Sequence, residues 1–377
     1  MVERNVEARE QMGRFVRFEA PLKVTLVDEP DPVLSPGDVR IATLFSGISA
    51  GTELSYYRGT NPYFDKRWDT DQRLFRSLGR EDGAHPPDGV VMGGAAASLT
   101  YPVDGKGSEE VGVVVEVGAE AGEIAMGDIV WGKWGHRSSA VRPADYARQR
   151  RLPDGTSPVV GVFSQVGAIG LNVVLDADIH VGETVAVFGL GVLGQIVAQL
   201  ARLNGAEVIA VDPNADRLAT AASLGAAHTM NSRDGMVGER IRVLTGGRGA
   251  DVALEVTGSY RALQESIRSV RYSSRVVVAG FFQGDAAGLA LGEEFHHNRI
   301  ELRCSQISGV APQLSHRWDE QRLQRTVMGL ATSGRLDLQR LVTTIVPAER
   351  AAEAFELLDR SSDRGLQVVL QFKGETE

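Results

Sequence analysis

The sequence has almost no cysteine: Cys304 is the only one among 377 residues. A single cysteine excludes an intrachain disulfide and any zinc site built from several cysteines. Cys304 lies in the segment IELRCSQ, which we predict to be a buried strand, where a free thiol packs as a small apolar group. No basic neighbour or helix start in the sequence is placed to activate this thiol as a nucleophile.

Lysine is also scarce, with five residues, and the sequence contains no dense basic run. The net charge of −9 argues against nucleic acid or an anionic membrane as the main partner. No window reaches the roughly 18 consecutive apolar residues that a membrane-spanning helix needs. The opening MVERNVEARE lacks the apolar core of a signal peptide. We therefore expect a cytoplasmic protein that acts on a small molecule.

The histidines are few and scattered along the chain. They stand at positions 85, 136, 180, 228, 296, 297 and 316, and no two of them show HxH or HExxH spacing. A metal site made of histidines alone is therefore not expected.

The chain is long enough for two domains, each with its own hydrophobic core. Its first third is rich in predicted strands: RFVRF and KVTLVDEP surround a turn at Ala20–Pro21, and VGVVVEVG and GDIVWG follow. Between these pairs, residues 61–102 are aromatic, charged and interrupted by glycine and proline. This segment is too long for an ordinary connection, so we predict a lid or an interface element.

From Ser164 the pattern changes to alternating strands and helices, which predicts an α/β fold with a parallel, doubly wound sheet. Further helices are predicted around Arg317–Ser333 and at Ala348–Asp359, and a final strand at LQVVLQF. The predicted domains are residues 164–306 for the doubly wound part, and residues 1–163 together with 307–377 for the β-rich part.

The segment GLGVLG fits the pattern GxGxxG, follows the predicted strand TVAVF and opens a helix, which is the context that a dinucleotide-binding turn requires. Gly189 allows the tight turn, Gly191 lets the backbone approach a pyrophosphate, and Gly194 permits close packing of helix on sheet. Val192 and Leu193 begin the helix, whose N–H groups and dipole face the phosphates.

A carboxylate follows the next predicted strand, EVIAV, at Asp212. It can accept hydrogen bonds from the ribose hydroxyls and would repel a 2′-phosphate, which favours NAD over NADP. Arg217 lies five residues further on and weakens that preference. A helix N-cap before Pro213 is the alternative role for Asp212.

A strand-rich N-terminal part, a Rossmann centre and a short C-terminal return resemble the medium-chain dehydrogenase/reductase superfamily over essentially the whole chain. The resemblance implies a GroES-like catalytic domain interrupted by a Rossmann cofactor domain, an active site between them, and a homodimer or homotetramer. The segment EVTG, with Thr257, resembles the family's segment around the adenine ribose. The backbone at Gly280, Phe281 and Phe282 would hold the nicotinamide carboxamide, with Ser305–Ile307 as a further candidate.

Zinc-dependent members of that superfamily bind the metal through three segments, and this chain differs from them in all three. The segment SGISAGTE puts Ala50 or, with a one-residue bulge, Ser49 at the position of the family's cysteine. Ser108 replaces the histidine in GSEEVG, and Ser164 or Gln165 stands near the third ligand position. Neutral hydroxyls bind zinc poorly, so we predict no zinc at these positions. The segment SGISAGTE is similar to one in the bacteriochlorophyllide a dehydrogenase branch.

The candidates for catalysis without zinc lie around the same segment. If it is helical, Ser49, Thr52, Glu53 and Tyr56 fall on one face. The resemblance implies that Thr52 relays the alcohol proton, that Glu53 is the family's acid and that Tyr56 faces the substrate. Tyr57 is a further candidate. Helix capping is the alternative role for Thr52 and Glu53, and packing is the alternative role for Tyr57.

Glu109 is the other catalytic candidate, because it is a carboxylate beside the former metal position and burial would raise its pKa toward a value useful for acid–base chemistry. A structural acid that pairs with an arginine is the alternative. Lys133 and His136, in WGKWGHRSS, are interpreted as residues of a solvated loop rather than of the site.

Taken together, these features predict an NAD-dependent oxidoreductase that interconverts a secondary alcohol and a ketone without zinc. A polyol, a cyclitol or a bulky ring alcohol would suit a site with a long inserted segment. Two alternatives stay open within the same fold: a zinc-free reductase of C=C bonds, which would favour NADPH, and a redox-neutral enzyme with tightly bound NAD. A nucleotide-binding structural protein is a third.

Overall fold

The computed structural model describes residues 12–78, 98–360 and 365–372. The strands in these ranges are β1 (Met12–Ala20), β2 (Lys23–Pro30), β3 (Asp38–Gly47), β4 (Lys66–Asp69), β5 (Leu74–Ser77), β6 (Glu110–Val117), β7 (Ile129–Gly132), β8 (Ser139–Pro143), β9 (Thr184–Phe188), β10 (Glu207–Asp212), β11 (His228–Asn231), β12 (Ala250–Glu255), β13 (Val270–Val278), β14 (Glu301–Cys304), β15 (Val342–Pro347) and β16 (Gln367–Gln371). The α-helices are α1 (Ala50–Arg58), α2 (Ala144–Arg148), α3 (Ser164–Ala177), α4 (Val192–Leu203), α5 (Ala215–Ser223), α6 (Val237–Leu244), α7 (Tyr260–Ser269), α8 (Glu320–Thr332) and α9 (Ala351–Arg360).

The chain divides into two compact units, and the first contains the described residues up to Val162, Thr344–Arg360 and those from Val368 onward. Strands β1 and β2 form an antiparallel hairpin around the predicted turn. A larger sheet has the order β15-β16-β3-β6-β7, with β8 also paired to β3. These paired strands confirm the predicted β-rich part.

The second unit contains a six-stranded sheet with the order β11-β10-β9-β12-β13-β14. Every neighbouring pair in this sheet is parallel. All five residues of the central strand β9, TVAVF, are buried, as a parallel strand covered on both faces requires. The predicted α/β fold with a doubly wound parallel sheet is confirmed.

The predicted domain boundary at residue 306 differs from the observed one, because the second unit continues to Thr343. Helix α8 packs on α3 rather than joining the β-rich unit. A Cβ atom on Gly167 would lie 2.4 Å from Cγ1 of Val327, and Nε2 of Gln324 donates to Oε1 of Gln165 at 2.8 Å. The sequence of α8 indicates that one face is apolar, but not which helix covers it.

One helical segment, Pro158–Ala177, has the length and the mean hydropathy, 1.7, of a membrane-spanning helix. Within the fold, however, 83% of it is buried. Helix α3, its main part, packs against α4 and α8. Burial between these helices accounts for its apolar composition.

The inserted segment at 61–102 forms a small hairpin, β4–β5, within its described part. Phe75 is the centre of an aromatic contact set, with ring centroids 5.2 Å from Tyr63 and 5.0 Å from Trp68. Residues 79–97 of this segment lie outside the described residues. The role of lid or interface element stays a prediction.

Cys304 is exposed, so the prediction of a buried strand is wrong for this residue. It ends β14, which among the described strands pairs with β13 and forms the edge of the parallel sheet. An edge strand leaves side chains accessible that the same sequence would bury in the middle of a sheet.

Candidate active site

Helix α1 carries several of the predicted catalytic residues. Ser49 is its N-cap residue, although its side chain makes no capping hydrogen bond, and Gly59 ends the helix in the left-handed conformation. Glu53 is buried, Tyr56 is half-buried and Thr52 is exposed. The predicted helix is present, but the face that these residues were expected to share is divided between the interior and solvent.

Both oxygens of the Glu53 carboxylate have partners. Oε2 lies 2.6 Å from Nε2 of His136, and Oε1 accepts from the backbone N–H of Ser49 at 3.0 Å. The second contact returns a first-turn carboxylate to the N–H of the N-cap residue, as in a capping box. The geometry therefore favours the capping role that the sequence left open for Glu53.

His136 is buried, which corrects the interpretation of this residue as part of a solvated loop. Its backbone N–H donates to the carbonyl of Lys106 at 2.9 Å, and its carbonyl accepts from the N–H of Val16 at 2.8 Å. These two backbone hydrogen bonds join the segment between β7 and β8 to Lys106 and to Val16 of β1. Nδ1 of the imidazole lies 2.6 Å from Oγ of Ser46, so each ring nitrogen has a hydrogen-bond partner.

The pKa of His136 results from opposing effects. Burial lowers it, but the charge and hydrogen bond of Glu53 and the charge of Glu110 outweigh burial, so the pKa is raised from its ordinary value. The imidazolium form is therefore the one that this site stabilises.

Glu110 occupies the centre of the hydrogen-bond network. Its Oε1 accepts from Oγ of Ser46 at 3.1 Å and from the N–H of Glu109 at 3.2 Å, and its Oε2 accepts from the N–H of Trp134 at 2.7 Å. Burial raises the pKa of this carboxyl, while His136 and the two N–H donors oppose that effect. His136 and these two N–H donors thus stabilise the anionic form of Glu110.

Glu109 differs from its neighbour. It is 2% exposed, and within residues 12–78, 98–360 and 365–372 its Oε2 has no hydrogen-bond partner. Burial raises its pKa well above the ordinary range, and the charges of Glu53 and Glu110 raise it further. No arginine forms an ion pair with Glu109 in the part of the chain that the structure describes. These effects favour the protonated form of Glu109, and a protonated carboxyl can donate its proton.

A lysine and a tyrosine lie beside these acids. Nζ of Lys106 is 5.0 Å from the centre of the Tyr56 ring, a distance at which an ammonium group is attracted to an aromatic face. Burial lowers the pKa of Lys106. Burial raises the pKa of Tyr56, to which the charges of Glu53 and Tyr63 add.

Tyr57 is directed away from this group. Its side chain is buried in a hydrophobic core and stacks on Phe355, with ring centroids 5.8 Å apart. The structure therefore gives Tyr57 the packing role that was the alternative at the sequence level, and argues against the predicted catalytic role.

Three residues of the network were missed or misjudged from the sequence: Ser46, Glu110 and His136. One signal was available, since two consecutive glutamates open a strand that is otherwise mainly valine and glycine. Adjacent strand residues point to opposite faces, so at least one of the two acids was expected to enter the interior, and the structure buries both. No local pattern indicated that a histidine would meet them.

The glycine turn between β9 and α4 has the properties that a nucleotide site needs. Gly189 has φ of 92°, and a Cβ atom on it would lie 2.5 Å from Cγ2 of Thr257. Gly191 is the N-cap residue of α4, and nothing lies within 4 Å of a Cβ atom added there. Open space at Gly191, with Val192 and Leu193 next in the helix, fits a pyrophosphate approaching the helix N-terminus.

Asp212 ties this turn to the end of β10. Its Oδ2 accepts from the N–H of Leu190 at 2.7 Å, and its Oδ1 accepts from the N–H of Asn214 at 2.8 Å. Nη1 of Arg217 lies 3.9 Å from Oδ2. Asn214, not Asp212, is the N-cap residue of α5, so the alternative role considered for Asp212 is wrong.

The two segments assigned by resemblance to cofactor binding touch each other. A Cβ atom on Gly280 would lie 2.1 Å from the backbone nitrogen of Gly258. Glu255 accepts from the N–H of Thr257 at 2.8 Å. Burial raises the pKa of Glu255, and hydrogen bonds from its neighbours oppose that shift.

The aromatic pair that follows Gly280 differs in burial. Phe281 is 45% exposed, whereas the ring of Phe282 packs against Tyr260 with centroids 4.9 Å apart. The backbone at these residues lies at the carboxyl end of β13. That is the edge of a parallel sheet where ligands bind in doubly wound folds.

The side chains at the positions implied for zinc do not fit the metal. Ser49 or Ala50, Ser108, and Ser164 or Gln165 supply no thiolate, imidazole or carboxylate. Oγ of Ser164 is buried and has no hydrogen-bond partner among the described residues, but a neutral hydroxyl is a poor zinc ligand. Across the described ranges, no three His, Cys, Asp or Glu side chains are grouped so that they could hold a metal ion.

One unit carries a glycine turn on a parallel sheet, and the other is β-rich and encloses buried acids. Residues 192–325 match the family model described as zinc-binding dehydrogenase. D-guloside 3-dehydrogenase of Escherichia coli (strain K12) is 29% identical over 357 residues, which cover 94% of this chain and 98% of the relative.

Solved structures agree with this comparison at the level of the fold. A dehydrogenase from Sinorhizobium meliloti 1021 bound to NADP has a TM-score of 0.73 at 21% identity, covering 96% of this chain and 99% of its own. An alcohol dehydrogenase from Escherichia coli CFT073 complexed with NADH has a TM-score of 0.70 at 18% identity, with the same coverage of 96% and 99%. The full-length relative is a dehydrogenase, which supports an oxidoreductase of that kind, and the solved structures support the fold.

Proposed function

We propose that this protein is a zinc-independent dehydrogenase that transfers a hydride between NAD(H) and a secondary alcohol or ketone. The substrate class is a polyol, a cyclitol or another ring that carries several hydroxyl groups. The similarity to a D-guloside 3-dehydrogenase over nearly the whole chain supports a sugar-like substrate. The Tyr56 ring with the Lys106 ammonium over it supports the same class, because an aromatic face and a few polar groups are what such sites combine.

The observation that carries the proposal is the unpartnered Oε2 of Glu109. When a secondary alcohol loses its hydride, its hydroxyl proton must also leave, and in the reverse direction the new alkoxide must gain one. Zinc elsewhere stabilises that oxygen as a Lewis acid. A carboxyl with a raised pKa can supply or accept the proton directly, and proton transfer by a placed side chain contributes roughly 10²–10⁴-fold to rate. Thr52, which is exposed, is the proposed relay to solvent.

Zinc independence is supported by the ligand positions rather than by the family name. The matched span, residues 192–325, begins after Ser49, Ala50, Ser108, Ser164 and Gln165. The similarity to zinc-binding dehydrogenases in that span therefore concerns the nucleotide-binding part of the chain. The proposed relationship to the bacteriochlorophyllide a dehydrogenase branch depends on the segment SGISAGTE alone.

NAD is the proposed cofactor because Asp212 places a carboxylate at the end of β10, where it would repel a 2′-phosphate. The guanidinium of Arg217, 3.9 Å from that carboxylate, weakens the preference by partly compensating its charge. When bound, the nicotinamide supplies the hydride acceptor, while the protein orients the alcohol and moves its proton.

The test uses the purified full chain, dialysed against a chelator and analysed for metals. Reduction of NAD⁺ is followed by absorbance with a panel of polyols, cyclitols and glycosides. We expect turnover of at least one ring alcohol by metal-free protein. Stoichiometric zinc whose removal abolishes turnover, and whose return restores it, would contradict the proposal.

Two other outcomes would identify the alternatives. Reduction of an enone or a quinone with NADPH, without oxidation of any alcohol, would identify a C=C reductase. Conversion of a substrate to an isomer with no net change in NADH would identify a redox-neutral enzyme.

We also propose that the chain forms a homodimer or homotetramer. The edge strand β14 has β13 as its partner and leaves residues such as Glu301 and Cys304 exposed. An exposed edge is a surface on which a second strand can pair. Sedimentation velocity of the full chain checks the assembly, and a monomer at micromolar concentration would contradict it.

A further inference from the structure

The protonation of His136 follows from counting donors around Ser46. The Ser46 hydroxyl donates to Oε1 of Glu110 at 3.1 Å. A hydroxyl has a single proton, so toward Nδ1 of His136, 2.6 Å away, the same oxygen acts as an acceptor. Nδ1 must then carry a proton.

The other ring nitrogen faces an acceptor as well. Nε2 of His136 lies 2.6 Å from Oε2 of Glu53, and an ionised carboxylate only accepts hydrogen bonds. Nε2 therefore carries a proton too. A ring with protons on both nitrogens is an imidazolium, placed between the anions of Glu53 and Glu110.

We propose that His136 is a positioning residue held as an imidazolium, which keeps Glu53 and Glu110 ionised and leaves the proton of this acid cluster on Glu109. In addition, the His136–Glu53 contact fixes the start of α1, since the same carboxylate binds the N–H of Ser49. The consequence for catalysis rests on the proposed function, whereas the charge of the ring does not.

The charged groups that face the ring come from two elements. Glu53 is on α1, and Glu110 is the first residue of β6. Helix α9 contributes the uncharged ring of Phe355, with centroids 6.2 Å apart, and Lys106 contributes its backbone carbonyl. The imidazolium offsets one of the two negative charges and attracts both carboxylates, whereas two buried anions without it would be more costly.

The competing arrangement has a neutral ring. The Ser46 hydroxyl would then turn toward Nδ1, and Glu110 would lose one of its three donors. This arrangement leaves a buried carboxylate with fewer hydrogen bonds, which the observed geometry avoids.

The first test measures the ring directly in the full chain without cofactor or substrate. Nitrogen-15 chemical shifts of the histidine rings are recorded by NMR as pH rises from mildly acid to alkaline. We expect His136 to keep both protons at pH values above about 6.5, the ordinary pKa of histidine. A neutral His136 ring at neutral pH would overturn the proposal.

Two variants support the assignment and the interpretation. His136→Gln identifies the signal and keeps a donor for Glu53 without the charge. Ser46→Ala leaves the contact with Glu53 but removes the acceptor of Nδ1, so the ring should lose its second proton at a lower pH than in the parent protein. Unchanged titration in Ser46→Ala would contradict the role of Ser46, even if His136→Gln fails to fold.

The second test measures catalysis with the substrate found for the proposed function. We expect His136→Gln and Glu53→Gln each to lower kcat by about 10- to 100-fold, because α1 is displaced, while the Kd of NADH stays unchanged. The double variant should lose less kcat than the product of the two single losses, because Glu53, which His136→Gln leaves without its cation, is then uncharged. A double variant whose loss of kcat equals the product of the two single losses would contradict the coupling between His136 and Glu53.

His228→Gln is the matched control. His228 makes the same kind of contact with Glu207, at 3.1 Å, but both side chains are exposed, so neither kcat nor folding should change. If no alcohol is oxidised by the parent protein, the proposed function fails. The NMR titration still decides the charge of His136, so the two failures are distinguishable.

Discussion

A Cβ atom on Gly194 would lie 1.8 Å from the carbonyl oxygen of Gly189, so the first and last glycines of the turn can approach only without a side chain at Gly194. The obstacle is backbone, which cannot move aside as a flexible side chain can. The close approach of α4 to the sheet, on which the nucleotide site depends, therefore requires glycine at this position.

Gly194→Ala is expected to destabilise the chain by roughly 1–3 kcal/mol or more, because the added methyl group overpacks a buried turn. Gly191→Ala is the control: its φ of −65° suits any residue and nothing lies near the added atom, so stability should not change. NADH binding should weaken in both variants, since the methyl group of the second meets the pyrophosphate. Urea unfolding and fluorescence titration with NADH measure the two effects. Normal NADH affinity in Gly191→Ala would contradict the assigned site.

Glu109→Gln keeps the shape of the side chain and removes its acid–base function. We expect kcat for the alcohol substrate to fall by roughly 10²–10⁴-fold, the range for a placed acid or base, with the Kd of NADH unchanged. Steady-state kinetics and a nucleotide titration measure these quantities. Glu120→Gln, at an exposed position, is the control and should behave as the parent protein. A fully active Glu109→Gln variant would shift the proton transfer to Thr52 or Tyr56.

The stability of the chain should decrease from mildly acid to alkaline pH. The pKa of Glu109 is raised in the folded state, so its stabilising contribution is present below the unfolded pKa and is lost as pH rises through the folded pKa. The pKa of His136 is also raised in the folded state, so its stabilising contribution is likewise lost as pH rises. This loss occurs at pH values above about 6.5, the ordinary pKa of histidine. Each group contributes a slope of at most about 1.4 kcal/mol per pH unit.

Denaturant unfolding at several pH values measures this dependence in the parent protein and in Glu109→Gln. The variant should lose the part of the slope that begins near the ordinary carboxyl pKa. Glu353→Gln is the control, because the pKa of Glu353 is lowered by Arg350 and its contribution changes only in more acid solution. An identical slope in Glu109→Gln and the parent protein would contradict the raised pKa.

The nucleotide preference should depend on Asp212 and Arg217. Asp212→Asn removes the negative charge beside the ribose site, so NADH should bind about tenfold more weakly and the preference for NADH over NADPH should shrink. Arg217→Ala removes the neighbouring positive charge and should weaken NADPH alone. Parallel fluorescence titrations with both nucleotides measure the ratio. Tighter binding of NADPH than NADH by the parent protein would contradict the assignment of NAD.

The sequence by itself determined the type of the elements around the cofactor turn, the outline of that turn and several strands of the β-rich part. Alternation of apolar residues with period two predicts strands such as β6, and Gly189, Gly191 and Gly194 between a strand and a helix predict the turn. These signals are local, because the residues that produce them lie within a few positions of one another. The lack of cysteine and the serine at position 108 were likewise readable without a fold.

Only the tertiary structure decided which side chains meet. His136 and Glu53 are 83 residues apart, and Gln324 and Gln165 are 159 apart, so no periodic pattern links either pair. The same limit explains the misplaced boundary at residue 306, the exposed Cys304 and the buried His136. Whether a polar residue is solvated or enclosed depends on which strands and helices pack around it, and distant parts of the chain provide those neighbours.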